Sequence, residues 1–268
     1  MVGHRRHDGL SAMALPPATM PGCVWVTGAS SGIGQAVALE LARRGYRVAA
    51  SARGAEQLEE LSAQAASGAI AAFPLDVTDG AAVSAAVRAI ENGCGPILGA
   101  VLCAGTYRAV AAGDFDAQEA LRQIDVNLGG VVHALEPLLP GMFGRGHGHV
   151  AIVASLTSRF GLPRAGVYGA TKAALVNLAQ ALRAECGERG VTVQVINPGF
   201  VRTPLTDRND FAMPFLVPVG RAAQIIADGL AGDRFEIAFP WQMSLATRLL
   251  AMLPHRLAFA LTRRMVRR

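Results

Sequence analysis

A tyrosine and a lysine four residues apart, in Tyr168-Gly-Ala-Thr-Lys172, form the pair of residue types best suited to chemistry in this chain. Lys172 is the only lysine, and every other long basic side chain is an arginine. A compact ammonium differs from a planar guanidinium, so the lone lysine indicates a specific role. On a helix this spacing places both side chains on one face, where the ammonium should lower the pKa of the phenol. The pair predicts a tyrosine that exchanges protons near neutrality, although a surface pair without chemistry has the same spacing.

A glycine-rich turn near the start of the chain supplies a second chemical feature. Cys23 to Thr27 is predicted to be a buried strand, and the apolar-periodic segment from Ile33 to Ala42 a helix. Between them, Gly28-Ala-Ser-Ser-Gly32-Ile-Gly34 would let the backbone turn tightly and approach a pyrophosphate at a helix N-terminus. The spacing differs from the G-x-G-x-x-G fingerprint, so a strand-to-helix turn without a ligand is the alternative.

Motifs in order along the chain together resemble the short-chain dehydrogenase/reductase family in its short, single-domain form. The resemblance runs from about Val24 to Phe239 and includes the glycine turn, Ser155 and the Tyr168-x-x-x-Lys172 pair. It also includes segments similar to the family's adenine-contacting, asparagine-containing and nicotinamide-side motifs: Leu75-Asp76-Val77, Val126-Asn127-Leu128-Gly129 and Asn197-Pro198-Gly199. Cys103-Ala104-Gly105 departs from the family's usual Asn-Ala-Gly, which puts in doubt a stabilising hydrogen bond near the fourth strand.

The resemblance implies a role for each of four catalytic residues, with a nicotinamide cofactor carrying the hydride. Ser155 would polarise the carbonyl oxygen, and Tyr168 would donate or accept the proton. Lys172 would lower the pKa of Tyr168 and contact the nicotinamide ribose, and Asn127 would hold a water that relays protons to Lys172. The implied cofactor-binding residues are Gly28, Ser30, Ser31, Gly32, Ile33, Gly34, Arg53, Asp76, Val77, Ala104, Gly105, Tyr168, Lys172, Pro198, Gly199 and Thr203.

The residues after the second predicted strand bear on the choice of cofactor. An NAD site usually places a carboxylate there to bind the ribose 2′-hydroxyl. This chain instead has Ala50-Ser51-Ala52 followed by Arg53, whose guanidinium is suited to a 2′-phosphate. Ser31 could add a hydroxyl contact. The sequence therefore favours NADP(H), with NAD(H) as the alternative and a solvated loop as the other interpretation of Arg53.

Apolar runs alternate with helical patterns and predict an α/β fold, a doubly wound parallel sheet (Rossmann-like) in a single domain. The 268 residues, 51% of them hydrophobic, suffice for one large core. The predicted strands are Cys23 to Thr27, Tyr46 to Ala52, Ala69 to Pro74, Leu98 to Cys103, His149 to Ala154, Val191 to Asn197 and Phe235 to Ala238. Residues 21–240 would form the dehydrogenase/reductase domain, after a disordered extension over residues 1–20 and before a basic amphipathic helical tail over 241–268.

The substrate is predicted to be an apolar aldehyde, ketone or 3-oxoacyl compound. Ser155 and Tyr168 would contact its reacting carbonyl by the family resemblance. The loop after Pro198-Gly199 usually closes over substrate in this family, and its distal half is apolar. Its side chains Phe211, Met213, Phe215 and Leu216 could line a hydrophobic substrate cleft; packing of the loop against the body is the alternative.

The C-terminal segment has an unusual charge distribution. Residues 241–268 hold six arginines and no acidic residue, against a whole-chain formal charge of +5. Apolar residues lie between the arginines, with one break at Pro254, which predicts two short amphipathic helices suited to an anionic membrane surface. Packing on the body or an oligomer contact is the alternative. Arg248, Pro254 and Arg256 prevent this segment from spanning a bilayer, and we predict no binding of nucleic acid.

The remaining features bear on metal, compartment and assembly. His147-Gly148-His149 has no acidic or cysteine ligand nearby, so we predict a solvated loop and no metal site. The four cysteines show no pairing or zinc-ligand pattern and indicate a reducing, cytoplasmic location, with the membrane surface as a further option. The family resemblance implies a homo-oligomer, a dimer or tetramer. A non-catalytic dinucleotide-binding adaptor at a membrane or partner surface is the alternative function.

Overall fold

The fold alternates strands and helices along almost the whole chain. The computed structural model describes residues 14–207 and 211–266. Its strands are β1 (Cys23–Thr27), β2 (Val48–Ser51), β3 (Ile70–Ala72), β4 (Ile97–Leu102), β5 (Gly148–Val153), β6 (Val191–Pro198) and β7 (Glu236–Phe239). Its helices are α1 (Gly32–Arg43), α2 (Ala55–Ala63), α3 (Gly80–Cys94), α4 (Ala117–Ile124), α5 (Gly130–Arg145), α6 (Gly166–Gly187), α7 (Val219–Leu230), α8 (Trp241–Met252) and α9 (His255–Val266).

The seven strands form one parallel sheet in the order β3-β2-β1-β4-β5-β6-β7. Alternate residues of β1 face opposite sides, so Val24 and Val26 join a core with α1 and α7, whereas Cys23 and Trp25 join a core with α3, α5 and α6. Helices therefore cover both faces, which makes this the doubly wound sheet that the sequence predicted. The strand order reverses between β1 and β4, and such a switch point opens a crevice at the carboxyl ends of the strands.

The segment before β1 differs from the expected disordered extension. Leu15 is 6% exposed and belongs to the core, and its amide donates to the carbonyl of Leu230 at 2.8 Å. A side chain on Gly99 would overlap Leu15, so the bare glycine on β4 makes room for it. The prediction of disorder through residue 20 is therefore wrong for this part; residues 1–13 lie outside the described residues.

His149 also differs from the expectation of a solvated loop. It lies in β5, is 1% exposed, and its Nε2 is 2.8 Å from Oε1 of Gln194 on β6. Burial lowers the pKa of His149 to about 4. Across residues 14–207 and 211–266, no group of three or more His, Cys, Asp or Glu side chains is arranged to hold a metal ion.

The C-terminal segment forms the two predicted helices, α8 and α9, which meet at Leu253-Pro254. α8 follows β7 directly and packs on it and on the short turn Leu156–Ser158. Within the described part of the chain, no helix is both long and apolar enough to cross a membrane. Arg267 and Arg268, the last two of the predicted basic residues, lie outside the described residues.

Candidate active site

The glycine turn after β1 is held by close backbone contacts. Gly28 has φ +68°, and a Cβ on it would lie 2.8 Å from Cα of Ala104, just past β4. A Cβ on Gly34, in the first turn of α1, would overlap the carbonyl oxygen of Gly28. Ser31, the N-cap of α1, makes no side-chain capping bond within the described residues. The first amides of α1 thus face the crevice, an arrangement that suits an anionic phosphate.

We expect Gly34→Ala to weaken cofactor binding, because the added methyl group must push the Gly28 carbonyl out of the turn. Steric overlap with backbone costs about 1–3 kcal/mol. If this cost is met only when the turn holds the cofactor, the dissociation constant should rise roughly five- to hundredfold. Fluorescence titration with NADPH measures this. Gly113→Ala serves as the matched control, because a Cβ at Gly113 meets nothing within 4 Å; equal losses in both variants would contradict the assignment.

A pocket of about 460 Å³ opens at the carboxyl ends of the central strands. It is lined by all of the predicted cofactor-binding residues except Gly199. The amide of Gly199 instead donates to the carbonyl of Phe239 at 2.7 Å, and a Cβ there would lie 2.9 Å from Sδ of Met243. Gly199 therefore lies beneath α8 and away from the pocket wall, and its place among the cofactor contacts is not supported by the geometry.

Cys103 stands where the family usually has asparagine, but the end of β4 is still held by hydrogen bonds. Thr27 Oγ1, at the end of β1, accepts hydrogen bonds from the amides of Cys103 (3.0 Å) and Ala104 (3.1 Å). Two neighbouring strands are thus tied together where they meet the pocket. The Cys103 thiol lines the pocket, and burial raises its pKa to about 11, so it is a neutral thiol at physiological pH.

Ser155 and Tyr168 come together at the same end of the sheet. Ser155 follows β5 in extended conformation, and its Oγ accepts from the amide of Thr157 at 3.2 Å to begin the short turn Leu156–Ser158. Tyr168 lies in the first turn of α6, and a side-chain hydrogen bond links it to Ser155. The two hydroxyls therefore form one polar pair able to contact a single carbonyl oxygen.

The pKa of Tyr168 shifts in the direction opposite to the sequence prediction. Burial raises it to about 12, although the hydrogen bond with Ser155 opposes this shift. Lys172 Nζ lies 5.6 Å from the centroid of the phenol ring, and burial lowers the pKa of the lysine itself to about 8. Removal from water disfavours the charged form of each group. The prediction of a lowered phenol pKa is therefore wrong, and Tyr168 carries its proton at neutral pH.

Lys172 and Asn127 flank the loop that follows β4. Lys172 is 4% exposed and donates from Nζ to the carbonyl of Val153 at 2.8 Å. Asn127 Oδ1 accepts from the amide of Thr106 at 2.7 Å, and its Nδ2 donates to the Thr106 carbonyl at 3.0 Å and to Thr171 Oγ1 at 3.2 Å. Both Nδ2 protons are thus used, so Asn127 positions the loop backbone in this state.

Asn127 lies where the helix locally widens. A π-helical turn, Asp125–Gly129, joins α4 to α5 and contains Asn127, which is fully buried. Such turns often mark functional sites. A Cβ on Gly105 would lie 3.3 Å from Asn127 Oδ1 and 3.7 Å from Lys172 Nζ, so glycine lets both side chains approach the same point of the backbone.

Two residues near the site were missed by the sequence analysis. The ring of Tyr107 packs edge-on against that of Tyr168, with centroids 5.0 Å apart and planes at 62°. Arg122 lines the pocket, pairs with Glu119 at 2.7 Å and donates to Thr106 Oγ1 at 3.3 Å. Tyr107 stands two residues after Cys103-Ala104-Gly105, so its position beside a recognised motif was the available signal.

The predicted substrate side chains of the loop after β6 do not line this pocket. The loop closes on itself where the Val217 amide donates to the Phe200 carbonyl at 2.9 Å. Phe211 packs edge-on against Phe200, at 5.9 Å between centroids, and Phe215 is 55% exposed. Residues 208–210 lie outside the described residues. Thr203, at the start of the loop, lines the pocket beside Pro204 and Leu205.

The chain belongs to the short-chain dehydrogenase family, whose model matches residues 22–212. It is 38% identical over 242 residues to an "Uncharacterized oxidoreductase" of Myxococcus xanthus, covering 90% of this chain and 96% of that protein. The crystal structure of a short chain dehydrogenase from Burkholderia cenocepacia in complex with NADP is similar with a TM-score of 0.78 at 25% identity, over 90% of this chain and 97% of the other. Actinorhodin polyketide ketoreductase with NADPH has a TM-score of 0.76 at 26% identity, over 83% and 97%. The protein is thus an NAD(P)-dependent dehydrogenase or reductase.

Proposed function

We propose that this protein is an NADP(H)-dependent oxidoreductase that interconverts an apolar carbonyl compound and its alcohol. The observation that carries the proposal is the hydrogen bond between Ser155 and Tyr168, because Tyr168 lines the same pocket as the glycine turn. Small-molecule sites combine a concave pocket with a few convergent polar groups. The substrate classes proposed are aldehydes, ketones and 3-oxoacyl compounds.

The residues present fit a nicotinamide dinucleotide. The open first turn of α1 and the bare glycines at 28 and 34 suit a pyrophosphate, and Asp76 and Val77 line the pocket at the end expected to hold the adenine. When bound, the cofactor supplies or removes the hydride. Ser155 donates a hydrogen bond to the carbonyl oxygen, and in reduction Tyr168 gives that oxygen a proton as the carbon gains the hydride, so that the alcohol forms.

Lys172 and Asn127 support this proton transfer without contacting the carbonyl oxygen themselves. The Lys172 ammonium stabilises the phenolate that remains when Tyr168 gives up its proton. The Oδ1 atom of Asn127 also lies near Gly105 and accepts from the Thr106 amide, which holds the loop there. We retain the water relay through Asn127 to Lys172 as part of the proposal, because Oδ1 has a second lone pair that can accept from such a water.

The proposed preference for NADP(H) depends on Arg53. This exposed residue lines the pocket directly after β2, where no carboxylate is present to bind a ribose 2′-hydroxyl. Arg53 also helps to lower the pKa of Asp76, after the larger effect of the hydrogen bond from the Thr78 amide. A guanidinium at this part of the pocket lining could pair with a 2′-phosphate. The NADP and NADPH complexes of the two similar structures support the same choice.

We expect NADPH to bind more tightly than NADH, and Arg53→Ala to narrow the difference. Loss of one charge-assisted contact to the 2′-phosphate should cost about 1.5–3 kcal/mol, roughly a factor of ten to a hundred in affinity for NADPH. The affinity for NADH should change little. Calorimetric titration of both cofactors checks this, with exposed Arg88→Ala as the control; equal affinities of the wild-type protein for both cofactors would contradict the preference.

Oxidation of NADPH and NADH by the purified protein, against a panel of aldehydes, ketones and acyl thioesters, tests the function itself. Turnover of an apolar member is the expected result. Absence of turnover throughout the panel, with cofactor still bound, would favour the alternative of a non-catalytic dinucleotide-binding adaptor.

We further propose a cytoplasmic location at a membrane surface and a homo-oligomeric state. The four cysteines are free, which accords with a reducing compartment. Leu121 and Ile124 of α4 and Val132 of α5 are exposed apolar residues on neighbouring helices, as a subunit contact would require. The basic tail supports the membrane location.

A further inference from the structure

The first tail helix, α8, presents a row of large apolar side chains to solvent. Trp241, Leu245, Leu249 and Met252 follow at helical spacing on one face and are exposed by 69%, 49%, 54% and 80%. Ser244, between them in sequence, is buried. A helix of a globular protein in water normally has the reverse arrangement, so the medium or partner on the outer side of α8 must be apolar.

A polar network fixes this orientation. Arg159, which follows the short turn after Ser155, donates from Nη1 to the Ser244 carbonyl (2.7 Å) and hydroxyl (3.0 Å) and to Thr247 Oγ1 (3.0 Å). Its Nη2 pairs with Glu236 of β7, which also accepts from Arg248 of α8 at 2.6 Å. Because this network anchors the inner side of α8, the helix cannot turn its exposed apolar side chains inward without breaking it.

The second tail helix repeats the pattern. Ala258 and Thr262 of α9 are buried, whereas Leu257, Leu261 and Met265 are about half exposed at successive helical turns. The polar residues beside them include three exposed arginines, Arg256, Arg263 and Arg264. Between 241 and 266 there is no acidic residue. We call Trp241, Leu245, Leu249, Met252, Leu257, Leu261 and Met265 the docking face.

We propose that the docking face lies on an anionic lipid bilayer, with its apolar side chains in the boundary of the acyl chains and its arginines at the headgroups. Charge distinguishes this occupant from a second copy of the chain. A two-fold contact would set the same patch against itself and bring the arginines of two tails together with no carboxylate of the tail between them. An anionic lipid surface supplies the missing negative charge, and interfacial helices carry this combination of apolar and basic residues.

The position of α8 gives the docking a consequence for substrate, which rests on the proposed function. Met243 packs against the Pro198-Gly199 turn, and Arg159 ties α8 to the segment that begins at Ser155. A bilayer on the outer side of α8 is therefore separated from this segment by one helix, a thickness of about 10–12 Å. The substrate class that this placement serves is a lipophilic carbonyl compound or alcohol dissolved in the membrane.

The chain carries its own reporter for the test. It has two tryptophans: Trp241 is exposed on the docking face, and Trp25 is fully buried in the core. Mixing the full chain with vesicles of phosphatidylcholine and phosphatidylglycerol should shift tryptophan emission to the blue, and raising the salt concentration should reverse the shift. Vesicles of phosphatidylcholine alone should give a smaller effect. A full-length chain that neither shifts its emission nor sediments with anionic vesicles at low salt would overturn the proposal.

Matched variants separate charge from apolar contact. Arg256→Gln with Arg263→Gln should weaken partition into anionic vesicles by about 30-fold, since each basic residue contributes about 1 kcal/mol at such a surface. Arg88→Gln with Arg221→Gln removes the same charge elsewhere and should have little effect. Leu249→Gln with Met252→Gln should abolish the blue shift, whereas Phe115→Gln, at an exposed apolar side chain outside the tail and outside the proposed subunit contact, should keep it. Equal partition of tail and control variants, or a change of oligomer size in the tail variants without vesicle binding, would contradict the lipid assignment.

Kinetics distinguish failure of this proposal from failure of the proposed function. With NADPH, the docking-face variants should turn over a small water-soluble ketone at the wild-type rate but lose activity several-fold on a long-chain ketone dissolved in vesicles. Turnover in solution without vesicle binding would leave the oxidoreductase function standing and end the docking proposal. Vesicle binding without turnover of either ketone would leave the docking proposal standing and end the oxidoreductase proposal.

Discussion

Tyr168→Phe should lower kcat in both directions by about 100- to 10,000-fold, the usual contribution of a positioned general acid or base. The variant keeps the ring that packs on Tyr107 and lacks the hydroxyl that bonds Ser155. NADPH affinity should therefore change by less than about fivefold, equivalent to about 1 kcal/mol. Steady-state kinetics and a binding titration measure the two effects separately.

Tyr46→Phe is the matched control, because Tyr46 lies before the amino end of β2, whereas the pocket lies at the carboxyl ends of the strands. It makes the same chemical change and should leave kcat within a factor of about two, as expected for a substitution away from the site. Substantial turnover by Tyr168→Phe, with the same pH profile as the wild type, would remove the tyrosine from the mechanism.

Lys172→Arg should reduce kcat/KM by about 100-fold or more. The side chain is buried, and its Nζ bonds the Val153 carbonyl in a space shaped for an ammonium. A bulkier guanidinium must displace its neighbours, and small misplacements near reacting atoms cost about 100-fold. Arg88→Lys, on the exposed side of α3, is the converse exchange and should leave kcat/KM unchanged.

The pH profile provides a second readout for Lys172. The pKa of this lysine is about 8, so the ammonium is lost as the pH rises through that value, while Tyr168, with a pKa of about 12, stays protonated. Reductive kcat/KM in the wild type should therefore be level below about pH 8 and fall above it. A wild-type rate in Lys172→Arg, or a profile level to pH 10, would contradict a role for the lysine.

Strands and motifs could be predicted because their signals are local. β1 begins and ends where the apolar run Cys23–Thr27 does, and the N-caps of α3 and α4 are aspartates, Asp79 and Asp116, a residue type that local sequence favours there. The start of β2 was placed two residues early, at Tyr46. That residue belongs to the end of α1, because Gly45 has φ +88° and the Tyr46 amide still donates to the carbonyl of Leu41.

Features that depend on tertiary contacts could not be predicted. The pKa of Tyr168 follows from burial, which residue spacing does not reveal. Leu15 is ordered by a space that Gly99 leaves on a strand over 80 positions away. The tail helices were evident from apolar periodicity, but their inverted orientation depends on Arg159 and Glu236, which lie outside the tail.

Burial of Lys172 also carries a thermodynamic cost for the whole fold. Its pKa is about 8 in the folded chain against an ordinary 10.5, so the unfolded chain holds a proton that the folded chain releases between these values. The free energy of unfolding thus rises as the pH increases through this window, and at neutral pH the full penalty of about 3 kcal/mol is present. Domains are stable by only about 5–15 kcal/mol. Burial of the single lysine of this chain therefore lowers the free energy of unfolding at neutral pH by a sizeable part of the margin that such a domain has.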